Sequence, residues 1–195
     1  MSTKSRGMAI CSTLVFLLVL ITSCSPTPKN RIKAFIKAHN SHKVDRIMSF
    51  YAEDARYEFV ESWIAVGKGE IRNQEEFDAE LNSHLTLMDM EINGEFIKCK
   101  VSEQSDYYIT AGINEVYYDT YIVRFHEGLI QEIKVVLSEE SVKVINDIFQ
   151  SFSAWIAEEK SEEMSQLVSE GNIIYTAESA QKWLALLREW REKNI

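Results

Sequence analysis

The feature that most constrains the fold of this chain is a change of hydrophobic period near Thr86. Before it, apolar residues recur at helical spacing; after it, they alternate with polar residues. Strands are predicted over residues 86–101, 106–113, 116–125 and 129–137, which are rich in Tyr, Ile and Val. Helices followed by a meander of strands predict the α+β class. We expect a cone-shaped, curved antiparallel sheet packed on N-terminal helices.

Three amphipathic helices are predicted ahead of these strands, over residues 32–39, 44–51 and about 70–85. His84 is expected to close the third helix, where a cation suits the helix dipole. A short strand carries Tyr57 and Phe59 on one face, and a loop through Trp63 follows it.

The C-terminal extension, residues 138–195, is predicted to be helical. Its apolar seam is formed by Val142, Ile145, Phe149, Phe152 and Ile156. Such a seam must be buried, and we expect it to pack on the preceding domain or on a second subunit.

The N-terminus predicts export. Lys4 and Arg6 precede an apolar run of 14 residues from Met8 to Ile21, and small residues follow it. A spanning helix needs about 20 residues, so a membrane-spanning anchor is the weaker interpretation. Residues 1–23 are therefore predicted to be a signal peptide, and residues 24–29 a linker.

The segment Ile21-Thr22-Ser23-Cys24 resembles the lipobox of bacterial lipoproteins. The resemblance implies cleavage before Cys24 and a lipid on its thiol, which would anchor the chain to a membrane of the cell envelope. Ser25 after the cysteine implies the outer membrane, facing the periplasm, if the source is diderm. The alternative is an ordinary signal peptide with a chance cysteine.

Charge and cysteine content narrow the function classes. The chain holds 30 Asp and Glu against 21 Lys and Arg, and Lys4 and Arg6 leave with the signal peptide. An acidic surface repels phosphate, so nucleic acid is not expected as a partner.

With Cys11 removed and Cys24 carrying lipid, Cys99 is left alone, and we expect it to be a buried core residue.

Residues 31–137 resemble the nuclear transport factor 2-like superfamily, in particular its SnoaL-like polyketide cyclase branch. Three motifs carry the resemblance: residues 35–42, residues 47–55, and the glycine-led Gly67-Lys68-Gly69-Glu70-Ile71-Arg72 at the start of the third helix. The resemblance implies a SnoaL-like domain over residues 30–137 and a homodimer that pairs through the sheet. Because the superfamily hosts both enzymes and non-catalytic modules, it does not fix the activity.

The catalytic positions of the ketosteroid isomerase branch fall, by this resemblance, on Phe35, Phe59 and Tyr121. Phenylalanine neither accepts a proton nor donates a hydrogen bond, so isomerase chemistry is not expected and no catalytic residue is assigned. These substitutions predict an aromatic interior lined by Phe35, Tyr57, Phe59, Trp63, Tyr108 and Tyr121. The rings either enclose a small-molecule cavity or fill the cone.

No metal site or cofactor is expected from the sequence. His39 and His42 have no Cys or acidic residue at ligand spacing around them. No glycine-rich phosphate loop, HExxH motif or Ser/His/Asp order is present.

The sequence therefore favours a lipid-anchored module that binds a small apolar ligand or a protein. The alternative is an acid–base enzyme of cyclase or dehydratase type, which would need a buried carboxylate or histidine, such as Asp119 or His39, aimed into the cavity. A third interpretation is a scaffold in which the C-terminal extension packs across the cavity.

Overall fold

The computed structural model describes residues 27–60, 62–169 and 172–194. The predicted signal peptide and Cys24 lie outside these residues. None of the described helices is both long and apolar enough to cross a lipid bilayer.

Two helices, α1 (Pro28–His39) and α2 (Val44–Met48), lead into the strands β1 (Tyr51–Phe59) and β2 (Trp63–Val66). Helix α3 (Lys68–Glu80) precedes the long hairpin of β3 (His84–Asn93) and β4 (Phe96–Gln104). Helix α4 (Asp106–Ala111) then joins β4 to β5 (Val116–His126), and β6 (Leu129–Leu137) completes the sheet.

The six strands form one curved sheet in the order β2-β1-β6-β5-β4-β3. The strand pairs are antiparallel except β1 and β6, which run parallel. The α+β class and the curved sheet are confirmed. The main core lies between the sheet and helices α1 to α3, and it includes Cys99, which is buried as expected.

The prediction of a strand over residues 106–113 is wrong, because this segment forms helix α4. Its Tyr and Ile content suits a strand, but the capping residues suit a helix. The Ser105 side chain accepts a hydrogen bond from the backbone N–H of Tyr108, and Gly112 ends the helix with a φ of 89°. Arg191 donates to the carbonyl of Ala111 at 2.7 Å and covers this end.

The predicted end of the third helix is also wrong. Helix α3 ends at Glu80, and Asn82 adopts a φ of 51° that turns the chain. His84 and Leu85 consequently belong to β3. Similarly, α2 ends at Met48, and Tyr51 is the first residue of β1.

The C-terminal extension contains α5 (Glu139–Glu159), α6 (Ser161–Leu167), a small hairpin of β7 (Val168–Ser169) and β8 (Asn172–Ile173), and α7 (Ala177–Asn194). Helix α7 packs on α3 and α4. A second core lies where these elements meet, and it buries Phe152, Ile156, Leu167, Leu187 and Trp190. The extension therefore packs on the preceding domain of the same chain.

Candidate functional site

A cavity of about 360 Å³ lies between the sheet, α3, α4 and the C-terminal extension. Ser62, Ser153 and Ile173 line it and are also exposed at the surface. The rings in its lining are Tyr57, Phe59, Trp63, Phe77, Tyr107, Tyr108, Tyr118, Tyr121, Phe149, Phe152, Tyr175 and Trp183. Its polar side chains are concentrated on α1, α3 and the adjacent ends of β3 and β4.

We name the polar chain a series of hydrogen bonds, all of whose residues except Tyr51 line the cavity: Tyr51–Glu75–His39–Ser83–Glu103–Tyr118. His39 Nδ1 lies 3.1 Å from Glu75 Oε2, and the Tyr51 hydroxyl donates to Glu75 Oε1 at 2.7 Å. At the other end, Ser83 Oγ donates to Glu103 Oε1 at 2.8 Å, and the Tyr118 hydroxyl donates to the second oxygen of Glu103.

The hydrogen-bond directions in the polar chain indicate that His39 carries a positive charge. Its Nδ1–H donates to a carboxylate. Because the Ser83 hydroxyl donates to Glu103, Ser83 Oγ is an acceptor for His39 Nε2, 3.3 Å away. Burial by itself lowers the pKa of His39, but the hydrogen bond and charge of Glu75, with the charges of Asp78 and Glu103, raise it to about 9. His39 is therefore an imidazolium that donates to the Glu75 carboxylate and is linked to the Glu103 carboxylate through the Ser83 hydroxyl.

Asp78 stands beside the polar chain without a cation of its own. It lines the cavity, and its side chain accepts from Gln74 Nε2 at 2.8 Å. Burial and the negative charge of Glu103 raise the pKa of Asp78 to about 8, and the charge of His39 only partly offsets them. The Asp78 carboxyl group therefore holds its proton to higher pH than a solvent-exposed aspartate does.

Two further polar atoms of the lining residues have no partner among the described residues. They are Gln74 Oε1, an acceptor, and Trp183 Nε1, a donor; each side chain belongs to a residue that is 7% exposed. Buried polar groups in folded proteins are nearly always hydrogen-bonded. Gln74 and Trp183 both line the cavity, and these two atoms are hydrogen-bonding capacity that the described residues leave unused.

The aromatic walls are ordered by contacts between their rings. Trp63 stacks on Tyr57 with centroids 5.2 Å apart and contacts Tyr175 at 5.1 Å. On the opposite side, Tyr107 stacks on Phe149 of the C-terminal extension at 5.0 Å. These contacts fix the positions of the rings, so the cavity is largely pre-formed.

Five of the six residues predicted to line a cavity do contact it: Tyr57, Phe59, Trp63, Tyr108 and Tyr121. The sixth, Phe35, is 1% exposed and lies in the core, where it contacts the rings of Phe50 and Tyr51.

His39 lines the cavity. Its acidic neighbours, Glu75 and Asp78, come from α3, and their spacing from His39 in the sequence did not reveal them. One ligand atom each of His39, Glu75 and Asp78 lies within 4.8 Å of the others, a spacing that could hold a metal ion. Both ring nitrogens of His39 already lie within hydrogen-bond distance of Glu75 Oε2 and Ser83 Oγ, so a metal ion would have to displace one of these contacts together with a proton. The cluster is better suited to hydrogen bonding than to metal binding.

Sequence reasoning missed Glu75, Asp78, Ser83 and Glu103. A signal existed for two of them. Ile71, Glu75 and Asp78 are spaced i, i+4, i+7 and so share one helix face, the face that Ile71 buries completely. Carboxylates on the buried face of an amphipathic helix indicate a functional cluster. Ser83 and Glu103 join it only through tertiary contacts.

Sequence comparisons add nothing to this geometry, but structural ones do. No protein-family model matches the chain. No curated protein matches its sequence significantly. The solved structures that resemble it include SalBIII, an epoxide hydrolase/cyclase-like enzyme in pyran ring formation in the polyether salinomycin, and a protein of ketosteroid isomerase-like fold from Catenulispora acidiphila, in complex with trimethylamine.

SalBIII has 14% identity and a TM-score of 0.52, over 58% of this chain and 92% of its own. The Catenulispora protein has 16% identity and a TM-score of 0.50, over 60% and 91%. The fold is nuclear transport factor 2-like. A nuclear transport factor 2-like protein of unknown function from Cytophaga hutchinsonii also matches, with 10% identity and a TM-score of 0.48, over 59% and 93%. At these identities the likeness concerns the fold alone.

The polar chain and Asp78 lie at other positions than Phe35, Phe59 and Tyr121, the three that the sequence resemblance assigned to isomerase catalysis. Phe35 and Phe59 lack polar atoms, and Tyr121 is 1% exposed. The polar chain reaches the cavity from α1, α3 and β4 instead.

Proposed function

We propose that this chain is a binding module for a small, mainly apolar molecule that carries one polar group. The observation behind the proposal is the cavity itself: aromatic and aliphatic side chains form most of its walls, and one wall carries the polar chain with Asp78. Its volume of about 360 Å³ falls in the range of 300–1,000 Å³ that is usual for small-molecule sites. A compact molecule of one or two rings fits this space better than a long lipid.

Native mass spectrometry of residues 25–195 tests the proposal, because this segment contains every described residue. An adduct of a few hundred daltons, on the order of ligands that fill such pockets, supports it and yields a molecule to identify. The complementary experiment adds cyclohexylmethanol, a neutral probe with one polar group, and records tryptophan fluorescence.

The fluorescence change on adding cyclohexylmethanol should arise mainly from Trp63 and Trp183, because both line the cavity. We expect Trp63→Phe to remove a large part of the change. Trp155→Phe is the matched control, since Trp155 is buried in the second core without lining the cavity. Equal responses from both variants, together with a clean ligand-free mass, would contradict the binding proposal.

We also propose that the module is lipid-anchored at the bacterial envelope through Cys24. The support is the basic start, the short apolar run and the lipobox-like segment before Cys24. In a bacterial host grown with an alkyne analogue of palmitate, the chain should be labelled and should fractionate with membranes. Cys24→Ser should abolish both, whereas Cys99→Ser, which alters a buried core thiol, should leave the labelling intact. Labelling that survives Cys24→Ser would refute the anchor.

A second candidate function, an acid–base enzyme of cyclase or dehydratase type, is favoured by Asp78 and His39. Asp78 has a pKa of about 8 inside the cavity, which suits a general acid near neutral pH. The similarity to SalBIII is consistent with this candidate at the level of the fold only. Incubating the molecule recovered from the protein with fresh protein separates the two functions: an enzyme returns an isomer or a dehydrated product, and a binding module returns it unchanged.

Pairing of two chains through the sheet stays a prediction.

A further inference from the structure

The charges of the cavity lining select against anionic molecules. Glu75, Asp78 and Glu103 face one basic side chain, His39, and the described lining contains no Lys or Arg. When Asp78 is protonated, the charges of the lining side chains sum to minus one. When Asp78 is ionised, they sum to minus two. A buried net charge is costly unless it is paired. The occupant of the cavity must therefore be neutral or cationic.

The three carboxyl groups of the lining accept different numbers of hydrogen bonds. Glu75 accepts from His39 and Tyr51, and Glu103 accepts from Ser83 and Tyr118. Asp78 has one neutral side-chain donor, Gln74 Nε2, and no ion pair with any described residue. Asp78 is therefore the carboxyl group with room for a further donor.

An acceptor without a partner lies next to Asp78. The side-chain amide of Gln74 donates a hydrogen bond from Nε2 to Asp78. Its Oε1 is buried and has no donor among the described residues. Because both atoms belong to one amide group, Oε1 lies a few ångströms from the Asp78 carboxyl. Two neighbouring acceptors, one of them acidic, match a group that carries several N–H donors and a positive charge.

The rest of the lining suits the body of such a cation. Phe77, Tyr107, Tyr108 and Tyr175 belong to the aromatic walls around Asp78. Aromatic faces attract cations and bury hydrocarbon at the same time.

From these observations, and resting on the proposed function, we propose that the cavity binds a small hydrophobic amine. Its ammonium group donates to Asp78 and to Gln74 Oε1, and its hydrocarbon body lies among the aromatic rings.

The proposal implies that binding is coupled to a proton. An ammonium beside Asp78 favours the carboxylate, so Asp78, with a pKa of about 8 in the free protein, loses its proton to the solvent when the amine binds near pH 7. The groups that act on Asp78 in the free protein are Glu75 and Gln74 of α3, His39 of α1, Glu103 of β4, Tyr57 of β1, Tyr108 of α4 and Tyr175 before α7.

Three probes of nearly equal shape test the proposal by calorimetry at pH 7: cyclohexylmethylamine, cyclohexylmethanol and cyclohexanecarboxylate. We expect the amine to bind about tenfold or more tightly than the alcohol, and the carboxylate not to bind. Repeating the amine titration in buffers of different ionisation enthalpy should show nearly one proton released. The alcohol should release none.

Asp78→Asn should lower amine affinity about tenfold or more and abolish the proton release. Asp119→Asn is the matched control, because Asp119 is exposed on β5 and does not line the cavity. Equal binding of amine and alcohol, or proton release that persists in Asp78→Asn, would overturn the amine assignment and leave the binding function standing. Failure of all three probes also overturns the assignment, and the proposed function falls with it only if native mass spectrometry shows no adduct.

Discussion

Glu75→Ala is expected to lower the free energy of unfolding by about 3–5 kcal/mol, the usual result of removing one partner of a buried ion pair. The Glu75 side chain is 2% exposed, and it accepts from both His39 and Tyr51. Its loss leaves a buried imidazolium and a buried hydroxyl without their partner. Urea denaturation followed by circular dichroism measures the effect, provided that the slope of the transition stays unchanged.

Glu76→Ala is the control for this prediction, because it makes the same substitution one residue further along α3. Glu76 is 38% exposed and lies 3.6 Å from Arg72. Exposed ion pairs typically contribute about 0.2–1 kcal/mol, so this variant should be nearly neutral. Similar, small losses in the two variants would show that the polar chain does not hold α1 and α3 together.

Phe152→Ala is expected to cost about 3–5 kcal/mol, as large-to-small changes of buried aromatic residues do. Phe152 is 1% exposed and contacts the rings of Phe149, Trp155, Trp183 and Trp190 at centroid distances of 5.6–6.2 Å. It therefore joins α5 to α7 at the centre of the second core. Denaturation of the purified variant, followed by circular dichroism, gives the loss.

The matched control is Phe96→Ala, the same chemical change at a residue of β4 that is 47% exposed. A substitution at such a surface position usually changes stability by about 0.5 kcal/mol or less. A loss from Phe152→Ala as small as that of its control would contradict the packing of α5 on α7 in the second core.

The order of helices and strands could be predicted where one signal dominated. Strands β5 and β6 alternate on each side of a register shift, and the seam of α5 repeats at helical spacing, so periodicity located both strands and the helix. Helix α4 was missed because β-branched and aromatic residues suggested a strand, whereas Ser105 and Gly112 supply the helix caps. In a segment of six residues the caps decide the conformation.

The aromatic walls of the site were predictable, and its charged wall was not. Tyr57, Phe59 and Tyr121 lie on strands whose alternation gives the inward face. The polar chain instead joins His39 to Glu75, 36 residues away, and to Ser83, 44 residues away. Such pairs depend on how α1, α3 and the β3–β4 hairpin pack together, and no local pattern in one sequence encodes that packing.

The C-terminal extension contributes Phe149, Phe152, Tyr175 and Trp183 to the cavity lining. A molecule in the cavity therefore touches both parts of the chain. Ligand binding in the cavity and docking of the extension are consequently linked equilibria. The bound state raises the stability of the docked extension by RT ln(1 + [L]/Kd), and loosening of the extension weakens affinity by the same coupling. Sequence changes on the outer helices could then tune ligand affinity without altering any residue that the ligand contacts.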